Sequence, residues 1–77
     1  MKPAELTQTI SDSLTDLRKS ERKVADFVLN NLMQVIRMRI VDLAQEANVS
    51  EPTVVRFCRA VGCQGFQDFK LALAQQL

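Results

Sequence analysis

The chain has 77 residues, 47% of them apolar and 25% charged, with a formal net charge of +1. That balance describes one small globular domain, and no apolar run nears the ~20 residues a membrane span needs. Histidine is absent, and no Gly-rich phosphate loop or convergent carboxylate pair is visible, so neither an enzyme nor a metal or cofactor site is expected. A chain this short buries roughly 60% of its unfolded surface, enough for a single core. The N-terminal MKPAELTQ lacks the apolar stretch of a signal peptide, so a cytoplasmic location is expected. The charge is unevenly spread: residues 18–59 hold eight Lys/Arg against five acids, a net +3, whereas residues 1–17 carry −2. The positive excess falls where the strongest motif lies.

Pro3 precedes a helical pattern in which Leu6, Ile10, Leu14 and Leu17 recur every three to four residues, which predicts a helix from about Ala4 to Leu14. It can serve as core cover or as a dimer contact. Asp16 or Ser20 then suits an N-cap, and Glu21 meets the positive end of the next helix dipole. Val24, Phe27, Val28 and Leu32 form an apolar stripe, predicting a second helix from about Lys19 to Asn30, broken at Asn30-Asn31. Two readings stand for Arg18, Lys19, Arg22 and Lys23: a solvated helix face, or cations approaching DNA phosphates. The piece LMQVIRM, from Leu32 to Met38, reads as one or two helical turns. Arg39 sits where Ser or Thr would cap better, which favours a contact role for it.

The stretch from Ile40 to Arg59, IVDLAQEANVSEPTVVRFCR, reads as two short helices around a tight turn. Ile40, Leu43, Ala44 and Ala47 mark the inner face of the first. Val54, Phe57, Cys58 and Val61, spaced i, i+3, i+4, i+7, mark that of the second. Asn48 tolerates the left-handed backbone that ends a helix, Val49 plugs the corner, and Ser50 is the expected N-cap. Pro52 falls in the first turn, where a missing N–H costs little. This is the pattern of a helix-turn-helix, whose second helix enters the DNA major groove. Its outer face carries Glu51, Pro52, Val55, Arg56 and Arg59, with both arginines on one side. Arg suits bidentate reading of guanine and clamping of phosphate.

Val61-Gly62 ends that helix, and Phe66, Phe69, Lys70, Leu73 and Leu77 predict a last one from about Phe66 onward. Both phenylalanines are expected in the core, and Lys70 in solvent or near a phosphate. Cys58 reads as a core residue. Cys63 lies in a loop, where a redox role is the minor alternative, and the offset between the cysteines fits no metal or CxxC pattern. The chain stops at AQQL without a helix stop signal, so it is expected to be a fragment of a longer protein. The fold class expected is all-α, with about five helices around a three-helical core of homeodomain-like or winged-helix-like type, and no sheet.

Three blocks, KSERKVADFVL (Lys19–Leu29), EANVSEPTVVRFCR (Glu46–Arg59) and GFQDFKLALAQQL (Gly65–Leu77), resemble the N-terminal DNA-binding domain of the RpiR family of bacterial sugar-metabolism regulators. The likeness falls in the hexose-catabolism regulator (HexR) branch and covers nearly the whole chain. It implies that residues 1–77 form one DNA-binding domain, that a C-terminal sugar-isomerase (SIS) domain binding a phosphosugar follows elsewhere, and that dimers sit on pseudo-palindromic operators. For this branch it implies 2-keto-3-deoxy-6-phosphogluconate as effector. It places the recognition arginines at Arg56 and Arg59. Val55 stands where the branch often has Asn, and can touch a thymine methyl but not hydrogen-bond a base. Leu32 replaces a frequent Pro, and Arg39 a frequent Ser.

The expected function is thus sequence-specific binding of a double-stranded DNA operator by a regulator, most often a repressor, of sugar catabolism. Ser50, Glu51, Thr53, Val55, Arg56 and Arg59 are expected to line the groove-facing surface, with Arg39 and Lys19 near phosphates. The rival is a helical protein-interaction module, which requires an exposed apolar patch on the second helix.

Overall fold

A computed structural model describes residues 5–77. Among the described residues there are six helices and no strand: α1 (Glu5–Ser13), α2 (Lys19–Asn30), α3 (Leu32–Val35), α4 (Ile40–Ala47), α5 (Glu51–Ala60) and α6 (Phe66–Gln76). The all-α expectation holds, with six helices rather than about five. The sixth is the short α3, inside the stretch read from sequence as one or two helical turns, closed by the Val35 N–H on the Asn31 carbonyl at 3.0 Å and anchored by the buried Val35 side chain. Pro3 and Ala4, the expected lead-in to the first helix, lie outside the described residues.

α2, α4 and α5 pack on one another as the three-helical core, and α1 and α6 pair across its side. Val24, Val28, Leu43, Val54, Phe57, Cys58, Phe69 and Leu73 are fully buried between them. All four positions of the predicted inner face of α5 are inside. Phe57 and Phe69 meet edge to face, with ring centroids 5.5 Å apart and planes at 73°, the geometry that sets a positive ring edge against a negative face. Ile10 of α1 is fully buried too, so this helix serves the core.

The turn between α4 and α5 is built as its residues dictate. Asn48 adopts φ 60°, ψ 49°, in the left-handed region. The Val49 N–H reaches back to the Ala44 carbonyl (2.9 Å) and the Asn48 N–H to Gln45 (3.1 Å), the paired bonds of a Schellman stop. Val49 packs against the core. One residue later the Ser50 hydroxyl accepts the Thr53 N–H at 3.3 Å and caps α5. A second Schellman stop closes α5, with Gly62 at φ 96° and the Cys63 N–H on the Cys58 carbonyl at 2.9 Å. These two stops set where α5 begins and ends.

The left-handed site makes a testable demand. Asn48→Ala is expected to cost about 1 kcal/mol, because an L side chain without Asn's local hydrogen bonding is strained there, lowering Tm by about 4–8 °C. Asn48→Gly should match or exceed the parent Tm. Thermal melts followed by circular dichroism check both, and an unchanged Tm for Asn48→Ala refutes the assignment.

Two polar contacts differ from the sequence-based expectations, and a third, at Gln76, was not among them. Neither Asp16 nor Ser20 caps α2. Arg18 holds the cap position, and its N–H donates to the Glu21 carboxylate at 3.3 Å. Lys70 is half-buried rather than free in solvent. Its ammonium donates to the Met38 carbonyl at 2.7 Å and lies 5.0 Å from the centre of the Phe66 ring, tying α6 to the loop before α4. The Gln76 side chain accepts the N–H groups of Leu6 and Thr7 at 3.1 and 3.3 Å, so the end of α6 caps the start of α1.

Candidate nucleic-acid interface

The outer face of α5 is set by the helix's own periodicity. Once Val54, Phe57 and Cys58 turn inward, Glu51, Pro52, Arg56, Arg59 and Ala60 must face solvent. Ser50 is exposed beside them and Val55 is half-buried at the margin. Thr53 is the exception among the expected surface residues. Only 5% of it is exposed, so it stands behind the surface. Its hydroxyl lies 3.0 Å from the Ser50 hydroxyl and accepts from Arg56 Nη2 at 3.1 Å. The reason is its position next to Val54, at the inner edge of the helix where α5 starts against the body.

Arg56 is exposed over 53% of its side chain, yet it is held. Its Nε sits 3.7 Å from the Glu21 carboxylate of α2, and Glu21 itself is only 7% exposed. Arg59 bends toward the loop after α5, its Nε donating to the Gln64 carbonyl at 3.2 Å. A carbonyl leaves the guanidinium charge uncancelled, so Arg59 keeps its full pull on a phosphate or base edge.

Arg39 occupies the N-cap position of α4. Its backbone N–H donates to the Asp42 carboxylate at 3.0 Å, and its Nε and Nη2 both reach that carboxylate at 3.1 Å. The side-chain bonds, and then the backbone bond, hold the Asp42 carboxyl below its ordinary pKa; the same side-chain bonds raise that of Arg39. Asp42 therefore supplies the cap that Arg39 lacks. A stabilising role accounts for Arg39 without DNA, although its exposed guanidinium stays near the helix start.

Lys19 is exposed at the N-terminal end of α2 and forms no ion pair among the described residues. Through Glu21 this end of α2 lies against Arg56 of α5, and Arg18, Lys19, Arg22 and Lys23, its neighbours in sequence, are exposed. The cluster read from sequence thus lies on the helix that packs against α5. Glu21 was the residue missed. Its signal was available, since Glu21, Val24 and Val28 fall on one helical stripe and an acid on an apolar stripe implies a buried partner.

The cysteines do not favour thiol chemistry. Burial pushes the Cys58 thiol up to about 12 and also raises Cys63, so both stay protonated and poorly nucleophilic at neutral pH. Among the described residues no group of acids and cysteines could hold a metal ion. No helix of the described residues is long and apolar enough to cross a membrane.

A three-helical core, a Schellman-and-serine turn and a basic outer face on the second turn helix define a DNA-binding helix-turn-helix domain. The chain belongs to the rpiR family: residues 4–77 match the family described as "Helix-turn-helix domain, rpiR family". It is 50% identical over 72 residues to the HTH-type transcriptional regulator HexR of Pseudomonas aeruginosa, and 51% identical over 72 residues to that of Escherichia coli. In both cases the match covers 94% of this chain and 25% of the relative. It is also 51% identical over 73 residues to the bifunctional protein glk of Paraburkholderia xenovorans, covering 95% of this chain and 11% of that protein. Among solved structures, the N-terminal domain of the putative transcriptional regulator ybbH from Bacillus subtilis superposes with a TM-score of 0.86 at 33% identity, over 91% of this chain and 85% of that one. The Vibrio vulnificus NanR protein complexed with ManNAc-6P superposes with a TM-score of 0.88 at 40% identity, over 91% and 27%. The chain therefore spans a quarter or less of the curated relatives it matches.

Proposed function

We propose that this domain binds a double-stranded DNA operator sequence-specifically, laying α5 in the major groove. Arg56 and Arg59 contact base edges or the phosphates beside them. Ser50, Glu51 and Val55 line the same surface, Thr53 supports it from behind, and Lys19 and Arg39 lie toward the flanking phosphates. The observation that carries this reading is the outer face of α5, where two arginines project from one side beside the basic end of α2. In the whole protein we assign the domain to a repressor of sugar catabolism, acting as a dimer on a pseudo-palindromic site. A C-terminal phosphosugar-binding SIS domain would exert control, with 2-keto-3-deoxy-6-phosphogluconate as the effector implied by the HexR likeness. The phosphosugar in the NanR complex supports the effector class. The protein-interaction alternative gains nothing from α5, since among the described residues the large exposed apolar side chains are Met33, Leu71 and Leu77, all outside α5.

The test is a duplex enriched by this chain from a random library, compared with an unrelated duplex by fluorescence anisotropy between about 50 and 200 mM salt. The enriched duplex should bind at least about tenfold more tightly. Lys19→Ala should weaken both alike and lower the slope of log K against log salt by about 1. Equal affinity for the two duplexes overturns sequence-specific binding.

A further inference from the structure

The Glu21 carboxylate is divided between two tasks. One oxygen accepts the Arg18 N–H at 3.3 Å and so caps α2; the other lies 3.7 Å from Arg56 Nε. The carboxylate is buried at the contact of α2 with α5, where an unpaired charge is costly and a guanidinium is its natural partner. Arg56 Nη2 also donates to the Thr53 hydroxyl, which is held in turn beside the Ser50 cap. A guanidinium carries five N–H donors in a planar fork. With Nε facing Glu21 and one Nη2 donor on Thr53, the fork keeps further donors on a side chain that is 53% exposed.

From this geometry we infer that Glu21 is a positioning residue for DNA readout. Together with Thr53 it sets the plane of the Arg56 guanidinium before DNA arrives, so that the tip of the fork meets a base edge. The inference rests on the reading of Arg56 given above and adds residues that touch no DNA themselves. An unrestrained arginine loses rotamer freedom on binding, whereas one already fixed loses less. A fixed plane also discriminates, because a bidentate pair with guanine tolerates little rotation. Glu21 further cancels a positive charge that would otherwise favour any duplex alike.

Glu21→Gln separates these roles. Glutamine keeps one carbonyl oxygen, so it can serve the Arg18 N–H but then turns its NH2 toward Arg56, donor against donor. The cap survives and the restraint is lost. The readout is the ratio of affinities for the enriched and unrelated duplexes, with a melt as the folding control. Glu21→Gln should lower the ratio about tenfold while binding the unrelated duplex at least as tightly as the parent. Thr53→Val should lower the ratio in the same direction, and Thr53→Ser, which keeps the hydroxyl, should restore it. In an Arg56→Ala background, Glu21→Gln should leave the ratio unchanged. A ratio unaltered by Glu21→Gln in the parent overturns the positioning role while leaving DNA binding intact. A ratio unaltered by Arg56→Ala alone overturns the reading of Arg56 itself, and this inference with it.

Discussion

Phe57→Ala is expected to lower the stability of the domain at 25 °C by about 3–5 kcal/mol. Phe57 is fully buried and contacts Phe69 edge to face across the α5–α6 junction. Removing a buried phenylalanine ring costs about 3–5 kcal/mol through lost transfer energy and the cavity left behind. A chain of 77 residues has a total stability of roughly 4–12 kcal/mol. The loss is therefore a large share of the whole, and collapse of the surroundings cannot recover it when Val54 and Cys58 on either side are also fully packed. Urea denaturation followed by helical circular dichroism should show the midpoint fall sharply at an unchanged slope. Leu71→Ala is the control: Leu71 is 61% exposed, and its loss should stay within about 0.5 kcal/mol. A Phe57→Ala midpoint close to that of the control would mean that the core is not centred on α5.

The same packing explains why the fold was legible in residue order while part of the interface was not. Helical periodicity depends on neighbours three and four apart, and these lie in one stretch of chain. Val54, Phe57, Cys58 and Val61 therefore announced the buried face of α5, and Asn48-Val49-Ser50 announced its turn. Caps are also local, yet α2 departs from the expected one. Asp16 and Ser20 were plausible caps by residue type, but the chain places Arg18 at the cap and lets Glu21 reach back to it. What could not be read locally depends on separation along the chain. Glu21 and Arg56 are brought together only when α2 packs on α5. Lys70 finds the Met38 carbonyl, and Gln76 finds the first turn of α1. Thr53 is expected on the groove-facing surface with Ser50, Glu51 and Val55, yet it is buried. Its burial follows from its place at the inner edge of α5, where its hydroxyl has partners in Ser50 and Arg56.

Arg56→Ala should weaken binding to the enriched duplex by about 1–3 kcal/mol, roughly 5- to 150-fold, and the loss should vanish when the base pair opposite it is changed. On an unrelated duplex the same variant should lose only the contribution of one positive charge. The comparison must allow for stability, because removing Arg56 leaves the buried Glu21 carboxylate with the Arg18 N–H alone. A melt of each variant supplies that correction, and affinities are then compared for folded protein. Arg56→Lys provides the second arm. Lysine keeps the charge beside Glu21 and the attraction to phosphate, but a single ammonium cannot make the planar two-point contact with guanine. It should therefore melt close to the parent, hold the unrelated duplex as tightly, and still lose most of the discrimination on the enriched one. If Arg56→Lys binds the enriched duplex like the parent, Arg56 acts as a point charge on the backbone. Base discrimination would then rest on Arg59, whose guanidinium donates to the Gln64 carbonyl at the far end of the helix.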